Sequence, residues 1–230
     1  MSVGRKYLIW DFDGTLGYRP DRWSGTLVQI VKRFTGRDVD IQTVRPYMQR
    51  GFRWDDAARE HPRISADEWW EELLPNFEEA IIGCGFSSAE ARPLAARMRA
   101  EYTDIAGWRA FEDTRTVLEQ LRHDGWMHAI LSNHVPELRT IIDGLGLTDL
   151  FVSITNSAET GFEKPHPQAF AAALASLDRP GDVWMIGDNI HADVLGAESA
   201  GLKAILVRSA DERAFRSAND LAGVKEFLGG

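Results

Sequence analysis

Five short apolar runs constrain the fold of this chain more strongly than any other feature of its sequence. They are Tyr7–Trp10, Ala129–Leu131, Phe151–Ile154, Val183–Ile186 and Ala204–Val207. None of them alternates polar with apolar residues, which is typical of strands that are covered on both faces in a parallel sheet. Helical patterns lie between the last four runs. The sequence therefore predicts an α/β fold with a doubly wound, mainly parallel sheet.

Residues that favour helix starts lie between these runs. Asp113 precedes apolar residues at helical spacing, and we expect its carboxylate to cap that helix, which ends near Gly125. Pro136 and Pro167 suit the first turns of two further helices, where a backbone N–H is not needed. Each apolar run of the second half is thus expected to be connected to the next by a helix.

The interval from Gly17 to Trp108 breaks the alternation, because no run in it predicts a buried strand. Its apolar residues recur at helical spacing instead, beginning with Leu27, Ile30, Val31 and Phe34. We expect residues 17–108 to form an all-helical domain inserted into an α/β core of residues 1–16 and 109–230. Five of the eight tryptophans lie in the insert: Trp23, Trp54, Trp69, Trp70 and Trp108. We expect these rings to pack in its interior.

Composition excludes several classes of function. The 230 residues include 26 Lys and Arg against 35 Asp and Glu, a formal net charge of -9. A chain this acidic is a poor partner for nucleic acid or a membrane surface, since both are polyanions. The single cysteine, Cys84, excludes an internal disulfide and fits a reducing compartment. With no apolar segment long enough for a signal or a membrane span, the expected location is cytoplasmic.

Polar residues follow the predicted strands where those strands end. The first run is followed by Asp11-Phe12-Asp13-Gly14. Two carboxylates about 4 Å apart repel each other by roughly 4 kcal/mol at an effective dielectric near 20, so a cation is needed beside them. The carboxyl ends of the strands in such a sheet are where ligands bind. An Asp-Gly turn is the alternative interpretation of this pair.

The later strand ends carry complementary groups. The second predicted strand ends at Ser132-Asn133, where a hydroxyl and an amide can hold a phosphate oxygen. Lys164 lies just before the helix that Pro167 opens, near an N-terminus that favours anions. Asp188 follows the Val183–Ile186 run. Three carboxylates in one place suit a hard cation, and Mg²⁺ is the usual one when phosphate is the remaining partner.

The ordered set Asp11-Phe12-Asp13-Gly14-Thr15, Ser132-Asn133, Lys164-Pro165 and Gly187-Asp188 resembles the four motifs of the haloacid dehalogenase (HAD) superfamily of phosphohydrolases. The resemblance covers nearly the whole chain. It implies a Rossmann-like core, and the helical insert resembles the family's C1-type cap, which lies over the site and shapes substrate choice. The implied substrate is a small phosphorylated metabolite.

The resemblance also implies roles for individual residues. Asp11 matches the nucleophile that forms an aspartyl-phosphate, and Asp13 matches the general acid/base. Ser132 and Lys164 match the groups that hold the phosphoryl oxygens, and Asn133 matches a position that orients the phosphate or its loop. Mg²⁺ would be bound by Asp11, the backbone carbonyl of Asp13, and Asp188. Asp193 resembles a later acidic residue of variable spacing, to which we assign a supporting role.

Three alternatives remain at this point. Dehalogenases of the superfamily usually lack the second aspartate, which is present here as Asp13. A sugar phosphomutase would share both the nucleophile and the acid/base, and a non-catalytic phosphate-binding module would share the fold. The sequence does not decide between a monomer and a homodimer.

Overall fold

The computed structural model describes residues 4–228 of the chain. The ends of the predicted α/β core, residues 1–3 and 229–230, lie outside the described residues. Eight strands are present in the described part: Arg5–Trp10 (β1), Gly17–Tyr18 (β2), Arg109–Ala110 (β3), Trp126–Ser132 (β4), Phe151–Asn156 (β5), Pro180–Gly187 (β6), Lys203–Val207 (β7) and Ser217–Ala218 (β8). All five apolar runs are therefore confirmed as strands.

Eleven α-helices accompany the strands within residues 4–228. They are Arg22–Thr35 (α1), Ile41–Val44 (α2), Ala66–Gly83 (α3), Ser88–Ala95 (α4), Met98–Thr103 (α5), Thr114–His123 (α6), Leu138–Gly144 (α7), Ser157–Thr160 (α8), Pro167–Ala175 (α9), Gly196–Ser199 (α10) and Lys225–Leu228 (α11). A π-helix, Ile190–Leu195, precedes α10. In the described part of the chain, no helix is long and apolar enough to span a bilayer.

The chain divides into two compact units. An α/β unit comprises Met1–Tyr18, Ala57–Arg63 and Arg109–Gly230, and a helical unit comprises Arg19–Asp56 and Ile64–Trp108. The helical unit contains α1 to α5, and the α/β unit contains every strand.

The main sheet has six parallel strands in the order β5-β4-β1-β6-β7-β8. Numbered without the small β2–β3 pair, this order is 3-2-1-4-5-6, which is the Rossmann arrangement. The predicted doubly wound, Rossmann-like sheet is thus confirmed. The chain leaves β1 in one direction and continues from β6 in the other, so a crevice opens beyond the carboxyl ends of these two strands.

Burial on both faces explains why the apolar runs of β1, β4, β6 and β7 are continuous; the run in β5 differs from the expectation, because β5 lies at the edge of the sheet and Val152 is 52% exposed. Tyr7, Leu8, Ile9 and Trp10 of β1 are each at most 1% exposed. Tyr7 and Ile9 belong to a cluster with Phe170 of α9 on one face of the sheet. On the other face, Trp10 donates a hydrogen bond from Nε1 to Nδ1 of His128 on β4, at 3.1 Å. Nε2 of His128 lies 2.9 Å from the Leu118 carbonyl oxygen of α6.

An aromatic cluster forms the interior of the helical unit. Trp23 stacks on Tyr102 with ring centroids 3.8 Å apart and an interplanar angle of 4°. Trp69, Trp70 and Trp108 are buried as well, which confirms the interior packing expected for these rings. Trp54 is half-buried and stacks on Phe52 at 4.6 Å.

Three local expectations differ from the structure. Asp113 occupies the N-cap position of α6 without capping it; its carboxylate instead pairs with Arg208 and accepts the backbone N–H of Leu221. The helix expected at Pro136 begins two residues later, at Leu138. Gly17–Tyr18 forms a strand that pairs antiparallel with Arg109–Ala110, although no strand was expected at Gly17. A two-residue strand is too short to produce a readable pattern.

Candidate active site

The first strand delivers Asp11 into the crevice beyond the sheet. The backbone N–H of Asp11 continues the ladder by donating to the Ile186 carbonyl oxygen at 2.9 Å, which fixes where the side chain leaves the strand. Asp11 is only 7% exposed. Ser132, the last residue of the neighbouring strand β4, donates from Oγ to Oδ1 of Asp11 at 2.8 Å.

Lys164 supplies positive charge beside Asp11, and its second carboxylate partner is Asp193 rather than the expected Asp13. Its ammonium is 2.8 Å from Oδ1 of Asp11 and 2.6 Å from Oδ1 of Asp193. The lysine side chain is only 2% exposed, so these two carboxylates replace water as its partners. Both donors to Asp11, the Ser132 hydroxyl and the Lys164 ammonium, bind the same oxygen. Within residues 4–228, Oδ2 of Asp11 accepts no hydrogen bond.

Asn133 fixes the backbone of Lys164. The backbone N–H of Lys164 donates to Oδ1 of Asn133 at 2.7 Å, and Nδ2 of Asn133 donates to the Lys164 carbonyl oxygen at 2.9 Å. This two-point contact joins the end of β4 to the loop before α9. Asn133 therefore orients the lysine through its main chain.

Asp188 and Asp193 complete an acidic cluster at the end of β6. Oδ1 of Asp188 accepts a hydrogen bond from the Thr15 hydroxyl at 3.3 Å. Asp193 lies in the π-helix, and its Oδ2 accepts the backbone N–H of Asn189 at 3.0 Å. The carboxylate of Asp193 packs against the backbone of Gly187. Position 187 requires a glycine, because a Cβ there would lie 2.1 Å from Oδ2 of Asp193.

The donor set of this cluster fits a small divalent cation. One carboxylate oxygen each from Asp11, Asp188 and Asp193 lies within 4.8 Å of the others. An octahedral shell with metal–oxygen distances of about 2.1 Å spans about 4.2 Å, so small side-chain shifts suffice for Mg²⁺. Hard oxygen donors with no sulfur or imidazole also match that ion.

Electrostatics point to the same conclusion. Three carboxylates share one ammonium, which leaves an excess of negative charge in a buried place. Burial alone would lower the pKa of Lys164, but the charges of Asp11 and Asp193 outweigh it and hold that pKa above its ordinary value. Burial raises the pKa of Asp193, although Lys164 opposes the rise. A cation would remove this excess charge.

Asp13 lies in a tight turn after Asp11. The backbone N–H groups of Leu16 and Gly17 both donate to the Phe12 carbonyl oxygen, and Gly14 adopts a φ of 98°, which favours glycine. Asp13 is half-buried. Its carboxylate is not a member of the acidic cluster; the resemblance assigns its backbone carbonyl, not its carboxylate, to the metal.

Comparison with known proteins identifies the family. The model of the haloacid dehalogenase-like hydrolases matches residues 6–201. The chain belongs to this family. The hydrolase is 34% identical over 216 residues to ribulose-1,5-bisphosphate 5-phosphatase of Halopiger xanaduensis, covering 89% of this chain and 85% of that protein. It is 34% identical over 133 residues to phosphoserine phosphatase of Thermus thermophilus, covering 57% of this chain and 52% of that protein.

Two further facts define these likenesses. The hydrolase spans about half the length of some curated relatives that it matches, the phosphoserine phosphatase among them. Its fold resembles the crystal structure of the HAD-hydrolase YfnB from Bacillus subtilis, which was solved with magnesium. The TM-score is 0.76 at 18% identity, with both chains covered completely. At that identity the likeness shows the fold alone.

Sequence reasoning found most of the cluster but missed one contact. Asp11, Ser132, Lys164 and Asp188 come together, as expected of groups at neighbouring strand ends. The direct pairing of Asp193 with Lys164 was not foreseen. Its position five residues after Asp188 was the only signal, and the π-helical turn that directs it inward has no sequence pattern of its own.

Proposed function

We propose that this hydrolase is a Mg²⁺-dependent phosphatase that cleaves a small phosphomonoester through an aspartyl-phosphate intermediate. The observation that carries the proposal is the state of Asp11. Two buried donors, the Ser132 hydroxyl and the Lys164 ammonium, hold one of its carboxylate oxygens, while Oδ2 receives no hydrogen bond within the described residues. The carboxylate is thus oriented with one oxygen available for attack.

The first half-reaction uses Asp11 and Asp13. Oδ2 of Asp11 attacks phosphorus, and the bond between phosphorus and the alcohol oxygen breaks. Asp13, as general acid, gives a proton to the leaving alcohol. The Ser132 hydroxyl and the Lys164 ammonium hold the phosphoryl oxygens and stabilise the charge that spreads over them in the transition state.

The second half-reaction returns the enzyme to its starting state. Asp13, now deprotonated, takes a proton from a water molecule as that water attacks the phosphorus of the aspartyl-phosphate. The bond to Asp11 breaks, and inorganic phosphate leaves. Asp11, Asp188 and the backbone carbonyl of Asp13 would hold Mg²⁺, with Asp193 beside them; the ion supplies positive charge that balances the carboxylates and the phosphoryl group.

The substrate is proposed to be a small soluble phosphomonoester, such as a sugar, glycolate-like or nucleotide phosphate. Support comes from the names of relatives, which include a ribulose-1,5-bisphosphate 5-phosphatase and a phosphoserine phosphatase. The second aspartate of the first motif, Asp13, supports phosphatase over dehalogenase chemistry. We further propose that the helical unit is the cap domain that selects the substrate.

The test is release of inorganic phosphate from para-nitrophenyl phosphate and from a panel of phosphorylated metabolites, with Mg²⁺ and with a chelator. We expect Mg²⁺-dependent turnover. Asp11→Asn is nearly isosteric and should lower kcat by about 10³-fold or more while the circular dichroism spectrum is unchanged. Asp13→Asn should slow both half-reactions.

Each alternative has its own outcome in these assays. Turnover that survives in Asp11→Asn would contradict the nucleophile assignment. Transfer of phosphate between sugar positions without net release would indicate a phosphomutase. Failure to turn over any phosphomonoester would favour a phosphate-binding module.

A further inference from the structure

One segment of the insert clusters with the α/β unit. Ala57–Arg63 belongs to that unit, although the residues before and after it belong to the helical unit. We call residues 57–63 the strap. The backbone N–H of His61 donates to the Gly161 carbonyl oxygen at 2.8 Å, and Nε of Arg63 donates to the Thr160 carbonyl oxygen at 3.2 Å. The strap therefore binds the turn that ends α8.

Gly161 allows this contact for two independent reasons. It adopts a φ of 80° at the end of α8, a conformation that L side chains rarely adopt. In addition, a Cβ at position 161 would lie 2.3 Å from the His61 carbonyl oxygen, so a larger residue would displace the strap. The second constraint exists only because the strap is present.

The turn that the strap binds is continuous with the loop that carries Lys164. Only Phe162 and Glu163 separate Gly161 from the lysine. At its far end, this loop is held by the two hydrogen bonds between Asn133 and the Lys164 backbone. At the near end of the loop, the carbonyl oxygens of Thr160 and Gly161 accept hydrogen bonds from the strap. The loop is thus held on both sides of Phe162 and Glu163, the two residues that precede Lys164.

We propose that the strap is a positioning element for Lys164. By holding the Thr160–Gly161 turn, His61 and Arg63 keep the lysine ammonium between Asp11 and Asp193, where it is within hydrogen-bond distance of both carboxylates. Neither strap residue needs to contact the substrate for this role. The kinetic test of this proposal rests on the proposed function. A charged group that is misplaced by about 1 Å can lower the rate by about 10²-fold.

The first test removes a strap contact without changing the turn. Arg63 is exposed, so Arg63→Ala should fold. We expect kcat for para-nitrophenyl phosphate to fall about tenfold with KM changed by less than about twofold, and Arg63→Lys to restore most of the loss. The matched control is Arg59→Ala, which removes an exposed arginine of the strap that makes no hydrogen bond or ion pair within residues 4–228. Equal losses in Arg63→Ala and Arg59→Ala would overturn the proposal.

The second test separates the strap from backbone strain. Gly161 and Gly201 have nearly equal φ values, 80° and 81°, but a Cβ at position 201 would meet no atom within 4 Å. Alanine at either position pays the same conformational cost, and only Gly161→Ala displaces the strap. We expect kcat to fall by about 10²-fold in Gly161→Ala and by less than about threefold in Gly201→Ala. Equal kinetic losses would contradict a positioning role.

A third measurement does not depend on turnover. The Lys164 amide is protected by Asn133, so hydrogen exchange of a peptide covering residues 160–166 reports the order of this loop. Exchange should accelerate about tenfold in Gly161→Ala and remain unchanged in Gly201→Ala. If the parent protein hydrolyses no phosphomonoester, the proposed function is wrong. The exchange comparison still tests whether the strap orders the loop that carries Lys164. Unchanged exchange in Gly161→Ala, or faster exchange with unchanged kcat, would overturn the proposal.

Discussion

Both units of the molecule contain buried cations, but the charged groups around those cations differ. In the α/β unit, Lys164 faces two carboxylates and belongs to a cluster in which acids outnumber it three to one. In the helical unit, Arg53 is 7% exposed and pairs with the carboxylate of Glu72 through two hydrogen bonds of 2.9 and 3.0 Å. Burial of a charge is common to both. The three-to-one excess of carboxylates is a feature of the Lys164 cluster.

Arg19 of the helical unit extends the comparison. It is 6% exposed, and its guanidinium donates to the Thr26 hydroxyl at 2.8 Å and to the Tyr102 and Asp104 carbonyl oxygens. These partners are neutral and belong to the same unit. Within the described residues, the only cluster of three acidic or metal-binding side chains is Asp11, Asp188 and Asp193. Excess buried charge of the kind found around Lys164 is typical of a ligand site.

The first test of this difference in surrounding charge replaces the buried cations Lys164 and Arg53, one at a time, by methionine. Lys164→Met should lower kcat by about 10²-fold or more, because it removes the ammonium that balances Asp11 and stabilises the transferring group. Arg53→Met should leave kcat within about twofold and instead lower the free energy of unfolding by about 1–3 kcal/mol through its lost hydrogen bonds. Steady-state kinetics and urea denaturation measure the two effects. A Lys164→Met enzyme with near-parental kcat would contradict our interpretation of the cluster.

The sequence predicted the main sheet because its signal is local. Runs such as Tyr7–Trp10 are apolar at every position, and a strand buried on both faces requires that. Most of the candidate site was equally predictable, since Asp11, Ser132 and Asp188 lie at the ends of strands that must meet at one edge, and Lys164 precedes the helix that Pro167 opens. The Ser132, Lys164 and Asp188 positions could therefore be expected near Asp11 without any knowledge of tertiary structure.

Features that depend on distant partners were not predictable. Asp113 has an ordinary N-cap position, yet its carboxylate binds Arg208 and Leu221, which lie 95 and 108 residues further along the chain. The strap likewise has no local pattern, because its attachment depends on Gly161. In each case the competing contact is long-range, and local preference gives no information about it.

A second effect is expected from pH, and it tests the α/β unit away from the acidic cluster. Nδ1 of His128 accepts a hydrogen bond from Trp10, so its proton is on Nε2, facing Leu118. Burial lowers the pKa of His128 to about 4 from an ordinary value near 6.5. Below about pH 6.5, His128 becomes protonated in the unfolded chain but stays neutral in the folded chain until the pH approaches 4. Stability present above that pH should therefore fall by about 3 kcal/mol as pH decreases to 4.

The measurement is urea denaturation between pH 4 and 7.5, comparing the parent with His128→Phe. The variant should be less stable at pH 7.5, because Trp10 loses its acceptor, but should lose less stability on acidification. His123→Gln is the control, since the side chain of His123 is 92% exposed. A variant that retains the parent's full pH dependence would show that other groups account for it.

The smallest effect concerns the helical unit and asks whether its aromatic cluster is only structural. Trp54 is half-buried and stacks on Phe52 at an interplanar angle of 7°. Trp54→Ala should lower the free energy of unfolding by about 1–2 kcal/mol, from lost stacking and apolar contact, and Trp54→Phe should retain most of it. KM for para-nitrophenyl phosphate should change by less than about twofold in both variants. A several-fold rise in KM confined to Trp54→Ala would mean that this ring also contacts the substrate, and the functional difference between the two units would then be smaller than their buried cations indicate.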